Sequence, residues 1–278
     1  MLQKLLERSH PLREVYPSGQ VHSLVILRIY QVAFWTFFAS TSAIYFVGAF
    51  LLWLFTLPFD KNQRALHLYS CFWAMTYVYI NPGWRFRVER RDRLPWHGPA
   101  VLVSNHQSAG DILVLFGLYS PYKWVSKASI FKAPFLGWNM SLNGYVQLVR
   151  GDKESIGRMM AHCEQWLDRG VPVLMFPEGT RSEDGNVKPF KDGAFRLSIA
   201  KNCPVVPIML EGTGQTLAKN ALDVSPRGNL IVKVLEPVQP GPFNGDVAAL
   251  RDHVRGLIIA ELAATRGVSP PAPAAPPA

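Results

Sequence analysis

Between Arg28 and Asp60 the chain carries no Asp, Glu, Lys or Arg. These 31 positions, 29–59, include Phe34, Trp35, Phe37, Phe38, Phe46, Phe50, Leu51, Leu52, Trp53 and Leu54. About 20 apolar residues cross a bilayer as a helix, and the core helices of soluble proteins seldom go uncharged for so long. The run therefore predicts membrane attachment, with a buried hairpin of a soluble domain as the alternative. A cleaved secretory leader fits poorly: the run starts late, is too long, and has no small-residue cleavage site ahead of a polar start. A second uncharged run, residues 65–80, has 16 positions. That is short for a span and suits an interfacial or re-entrant helix, with Trp73, Tyr77 and Tyr79 of the types favoured at headgroup depth. Composition leaves open whether the first run spans the bilayer or dips into it.

Arg85, Arg87, Arg90, Arg91 and Arg93 crowd the segment that follows, opposed by Glu89 and Asp92. Basic residues beside membrane segments mark the cytoplasmic side. The remaining chain is expected in the cytoplasm, on the inner face of the membrane, against anionic headgroups. The whole sequence agrees: 278 residues with net charge +9, 49% hydrophobic and only 18% charged, where soluble domains average about 25% charged. A chain this apolar is not disordered. Basic and oily together favour a membrane surface over nucleic acid. Cys71, Cys163 and Cys203 are few, odd in number and far apart, so neither a disulfide framework nor a bound metal is expected.

After Pro95 short apolar runs alternate with helical periods. Residues 100–104, 123–126, 145–149, 171–176, 204–210 and 230–235 read as strands, and 112–118, 154–168 and 247–264 as helices. The clearest helix places Ile156, Met159, Met160, Cys163 and Leu167 on one face. This order predicts an α/β sandwich around a mixed or parallel sheet, preceded by a membrane-associated helical hairpin. The expected organisation is a membrane-associated helical region at 1–94, an α/β domain at 95–267, and a disordered tail at 268–278, which from residue 269 is only Ser, Pro and Ala.

In parallel sheets, sites collect at the carboxyl ends of strands, and three basic or titratable clusters fall there. The first is Asn105-His106-Gln107-Ser108-Ala109-Gly110-Asp111. Four residues separate His106 from Asp111, a spacing that lets the carboxylate hold one imidazole nitrogen while the other acts as a base. The alternative makes Asp111 a helix cap and His106 a satisfied loop residue, and spacing does not separate the two. The second cluster is Phe176-Pro177-Glu178-Gly179-Thr180-Arg181-Ser182, where glycine permits close backbone approach and Arg181 offers a fork of donors suited to phosphate. Its alternative is a surface turn in which Glu178 pairs with Arg181. The third holds Lys127 and Arg150, cations at the ends of predicted strands. No nucleophile elbow, P-loop or dinucleotide fingerprint is present in the sequence. The other histidines are scattered and read as structural or solvent-facing.

Taken together, these blocks resemble the glycerolipid acyltransferases, specifically the 1-acyl-sn-glycerol-3-phosphate acyltransferases, over residues 95–207. Asn105, His106 and Asp111 match the first block. Lys127, Pro134, Gly137, Gly144 and Arg150 match the second, residues 176–182 match the third intact, and Val205-Val206-Pro207-Ile208 match the fourth. The chain departs from the family pattern at Ser129, Gln147 and Val149. The resemblance implies acyl transfer from an acyl-CoA or acyl carrier protein thioester to the sn-2 hydroxyl of lysophosphatidic acid, with no bound cofactor. It implies His106 and Asp111 as the catalytic pair, and Lys127, Arg150, Glu178, Gly179 and Arg181 as phosphate-binding residues. Rival readings are another acceptor (an amino-acid lysolipid or glycerol 3-phosphate), a non-catalytic binder of anionic lipid, and a lipid or thioester hydrolase.

Overall fold

The uncharged run forms one long helix in the computed structural model, which describes residues 21–217 and 223–269. Helix α1 (Val21–Thr56) stops just before Pro58, a residue that disfavours helical backbone at the position before it. It is long and apolar enough to cross a membrane, with mean hydropathy 1.8. Ile26, Ile29, Val32, Ile44, Val47, Leu54 and Phe55 are left exposed on it. The Asp60 carboxylate then accepts the amides of Arg64 (2.8 Å) and Ala65 (2.7 Å), starting α2 (Arg64–Tyr79) antiparallel to α1 in a hairpin.

Helix α2, expected at an interface over residues 65–80, packs on the domain. One face of it is core: Leu66, Cys71, Trp73, Ala74, Met75, Tyr77 and Val78 are buried. Trp73 Nε1 donates to the Tyr77 hydroxyl at 2.8 Å, and that hydroxyl lies 3.0 Å from Thr41 and 3.2 Å from Ser42 of α1. Trp73 and Tyr77 thus knit the hairpin together, whereas Tyr79 stays exposed.

The boundary expected at 94/95 also moves. Strand β1 (Trp84–Glu89) pairs in parallel with the strand Gly228–Val234 and so belongs to the sheet. Within the arginine cluster, Arg85 and Arg87 point outward from this edge strand. Arg91 instead donates to the Gly117 carbonyl at 2.6 Å, and Arg93 donates to the Val234 carbonyl at 3.1 Å and pairs with Glu236. Two of the five arginines therefore anchor the turn after β1 to the domain.

The sheet has seven strands in the order β1-β7-β6-β2-β5-β3-β4. The others are β2 (Val101–Ser104), β3 (Lys123–Lys127), β4 (Val146–Leu148), β5 (Val173–Met175), β6 (Val205–Glu211) and β7 (Gly228–Val234). Five neighbours, β6-β2-β5-β3-β4, run parallel; β7 is antiparallel to β6. Helices cover both faces: α2, α3 (Gly110–Phe116) and α4 (Leu136–Leu142) on one, α5 (Lys153–Asp168), α6 (Gly193–Ala200) and α8 (Val247–Arg266) on the other, with the single turn α7 (Thr213–Thr216) after β6. The period of two decides which residue faces which layer. Val101 and Val103 belong to the core layer that holds Cys163, Phe195 and Val254, while Leu102 between them belongs to the opposite layer, with Met75, Leu115 and Ile208. With both faces covered, the inner strands become continuous apolar runs. The tail beyond Ser269 lies outside the described residues.

Lys123, 1% exposed, is the largest cation inside. Its Nζ donates to the Asn143 carbonyl at 2.6 Å and to Gln63 Oε1 at 3.2 Å, and sits 4.5 Å from the Trp166 ring centre. Burial lowers its pKa to about 7. Through Gln63 it ties the α1–α2 hairpin to the sheet.

Candidate active site

Because β6, β2, β5, β3 and β4 are parallel, their carboxyl ends share one edge of the sheet. Along that edge, in spatial order, follow Thr213 after β6, His106 after β2, Glu178 and Arg181 after β5, Lys127 at the end of β3, and Arg150 after β4. Residues separated by up to about a hundred positions in sequence thus lie on one rim.

The pair at its centre is formed. His106 Nδ1 lies 2.6 Å from Asp111 Oδ2, which favours the N–H at Nδ1 and an unprotonated Nε2. Asp111 is at the N-terminal end of α3, where amides are unpaired, and its Oδ2 also accepts the amides of Gln107 (2.6 Å) and Ser108 (3.0 Å). Both amides belong to the loop before α3, so Asp111 pins that loop and does not cap the helix, whose N-cap Ala109 has no side-chain cap bond. Asp111 is fully buried and His106 is 7% exposed. The Phe176 ring stacks on the imidazole, with centroids 4.0 Å apart and planes 19° from parallel. Asn105 holds the loop from below: its amide donates to the Leu210 carbonyl at 2.9 Å and its Oδ1 accepts the Leu210 amide at 2.8 Å.

Glu178 departs from both sequence expectations. Its carboxylate is turned inward, 4% exposed, with Oε1 accepting the His106 amide at 2.8 Å and Oε2 the Lys188 amide at 3.2 Å. An acceptor so occupied buttresses the His106 loop. The return contact is the Ser182 amide donating to the His106 carbonyl at 2.7 Å. Burial pushes the Glu178 carboxyl up to about 7, partly offset by the two amides. A raised carboxyl favours folding while protonated, so its contribution is full below about 4.5 and is lost as pH rises through 7. Thermal melts from pH 4.5 to 7.5 should show wild type losing stability relative to Glu178→Gln, by at most about 3 kcal/mol. Parallel curves would contradict this.

Gly179 has φ +69, a left-handed conformation natural to glycine, and a Cβ there would lie 2.9 Å from Lys191 Nζ. Partial burial and the nearby charge of Arg181 lower the pKa of Arg150. Two guanidinium groups that repel each other, on an edge that also bears Lys127, create a place where an anion is stabilising. Lys127 and Arg150 are exposed. Lys188 Nζ donates to the Arg181 carbonyl at 2.9 Å.

Beside Asp111 an apolar groove runs between α1 and the domain. Phe34, Trp35 and Phe38 of α1 form one wall, Leu113, Val114, Leu217 and Leu230 the other, with Gly110 and Thr213 at the end nearest Asp111. Among the described residues, no group of three or more His, Cys, Asp or Glu side chains could hold a metal ion. Sequence reasoning passed over Gln107 and Thr213. The signal it could have used is that Glu211-Gly212-Thr213 also directly follows an apolar strand.

The acyltransferase family profile matches residues 85–211. A chloroplastic 1-acyl-sn-glycerol-3-phosphate acyltransferase of Brassica napus is 38% identical over 206 residues, covering 73% of this chain and 58% of that protein. A 1-acyl-sn-glycerol-3-phosphate acyltransferase of Chlamydomonas reinhardtii is 34% identical over 249 residues, covering 88% of this chain and 73% of its own length. The chain therefore spans well under two thirds of the Brassica protein but nearly three quarters of the algal one. Among solved structures, a 1-acyl-sn-glycerophosphate acyltransferase from Thermotoga maritima superposes with TM-score 0.71 at 23% identity, over 86% of this chain and 98% of that one, which establishes the shared fold.

Proposed function

Since the chain belongs to the acyltransferase family of these relatives, we propose that it transfers an acyl group from a thioester to the sn-2 hydroxyl of a 1-acyl-glycerol 3-phosphate, forming phosphatidic acid for phospholipid synthesis. The observation that carries this reading is the buried His106–Asp111 pair with a cationic rim on one side and an apolar groove on the other. An acceptor that is half phosphate and half hydrocarbon needs both. His106 Nε2 takes the hydroxyl proton while Asp111 stabilises the imidazolium. The hydroxyl oxygen bonds to the thioester carbonyl carbon, the C–S bond breaks, and the imidazolium returns its proton to the departing thiolate. The acceptor is itself the nucleophile, so no acyl-enzyme forms.

In this reading Lys127, Arg150 and Arg181 hold the phosphate, and Gly179 lets the backbone approach it. The groove lined by Phe34, Leu113 and Leu217 takes an acyl chain. Conversion of labelled lysophosphatidic acid by the purified protein, with acyl-CoA and acyl carrier protein donors compared, tests the reaction and fixes the donor. Arg181→Ala should raise the lysolipid KM about tenfold or more, the loss of a charge-assisted bond to phosphate. An unchanged KM would remove Arg181 from the phosphate site.

Membrane attachment through α1 accompanies this chemistry, with the domain on the cytoplasmic face. Arg28 pairs with Asp223 at 3.0 Å and Phe34 packs 6.1 Å from Trp84, while Phe46 packs 5.4 Å from Trp138. The helix thus rests on the domain from residue 28 to 46, about 27 Å at 1.5 Å per residue. That favours a helix lying in one leaflet over one crossing upright. Spin labels at Ile29 and Leu54 should then report similar depths, whereas depths on opposite sides of the bilayer would contradict it.

A further inference from the structure

We propose that Thr213 is a positioning residue for the catalytic carboxylate, an inference that rests on the acyl-transfer reading above. Asp111 has two oxygens in a site without solvent. Oδ2 is engaged three times, by His106 Nδ1 and the amides of Gln107 and Ser108. Oδ1 receives the hydroxyl of Thr213, 102 residues away, itself 1% exposed. Every other donor to Asp111 comes from the five residues before it in sequence, and all reach the same oxygen. A carboxylate held at one oxygen can swing about that point. The second anchor fixes the plane of the group, and through Nδ1 the direction in which His106 Nε2 points.

The chain is built to deliver this hydroxyl. Strand β6 ends at Glu211, and Gly212 turns with φ +89, directing Thr213 back over the loop after β2. Gln107 lies beneath: its Nε2 donates to Glu211 Oε2 at 3.1 Å, and its Oε1 lies 3.3 Å from the Thr213 hydroxyl. Glu211 is held from the other side by Arg266 at the end of α8, at 2.7 Å. The orientation of Asp111 is thereby coupled to the far end of the domain.

Two variants separate positioning from packing. Thr213→Val keeps the shape and removes the hydroxyl; Thr213→Ser keeps the hydroxyl and removes the methyl group. The proposal predicts that Thr213→Val lowers kcat about 10- to 100-fold with lysolipid KM little changed and a lowered melting temperature, since Oδ1 loses its donor, and that Thr213→Ser retains most of the turnover. A packing role predicts the reverse order, with valine the better substitute, and that order overturns the proposal. A loss that is equal in both variants, or confined to KM, also overturns it. A second readout does not depend on turnover: the downfield proton NMR signal of the His106 Nδ1–H held against Asp111. It should keep its wild-type position in Thr213→Ser and shift in Thr213→Val, and an unshifted signal in Thr213→Val counts against positioning. If wild type makes no phosphatidic acid, the reaction assignment fails, and this signal still decides the role of Thr213.

Discussion

His106→Ala is expected to lower turnover about a thousandfold or more while lysolipid binding stays within a few-fold of wild type. A positioned general base contributes roughly 10² to 10⁴ in rate. Here the imidazole is pressed between the Phe176 ring and the Asp111 carboxylate, so no other side chain takes its place. Its backbone is held independently of its ring, by Glu178 at the amide and Ser182 at the carbonyl. Truncating the ring should therefore leave the loop and the phosphate residues where they are. Kinetics with lysophosphatidic acid, together with binding measured in mixed micelles, separate the two quantities. Turnover within tenfold of wild type would remove His106 from the chemistry.

The second large effect is expected at a residue that touches no substrate. A Cβ added to Gly212 would lie 1.9 Å from the Asn229 carbonyl of β7, a backbone atom with no freedom to withdraw, and φ +89 adds strain for any other residue. Gly212→Ala should destabilise the protein by about 3 kcal/mol or more, since the antiparallel β6–β7 pairing must open to admit the methyl group. It should also displace Thr213 and so cost turnover in whatever fraction remains folded. Chemical unfolding of the variant checks the first part. A variant as stable as wild type would contradict the stated close approach of β6 and β7.

Much of the architecture is readable in the sequence because burial on both sides leaves a simple trace. Strands β2, β5 and β6 are mainly apolar runs since helices cover both faces, and α5 buries Met159, Cys163 and Leu167 of its stripe because one side of it is wet, while Ile156 of that stripe is exposed. Strand β1 was hidden for the same physical reason reversed. It is an edge strand whose outward positions, Arg85 and Arg87, look like part of a basic cluster. The packing of helix α2 on the domain is not readable in its sequence, because its aromatic residues are equally at home in a membrane interface or a domain core. Only the partner decides, and the partner is α1 together with the sheet.

The site divides in the same way. His106 and Asp111 are five positions apart, within one strand-to-helix turn, so local spacing exposes them as a pair. That Asp111 also pins the preceding loop, by accepting the amides of Gln107 and Ser108, is a contact that spacing alone does not reveal. Glu178 sits in an intact motif, which marks the segment as important but not the direction of its side chain. Its inward turn depends on the amide of His106, 72 residues away. Thr213 is a contact across strands and leaves no local pattern.

The central claim is that this rim of strand ends moves an acyl group onto a lysolipid hydroxyl. It is tested most directly by following labelled acyl thioester with the purified full-length protein in phospholipid vesicles, with and without 1-acyl-glycerol 3-phosphate. The account predicts labelled phosphatidic acid that appears only when the acceptor is present, and no free fatty acid without it. Release of labelled fatty acid in the absence of acceptor, or a thioester left untouched while the protein binds the vesicles, would contradict it.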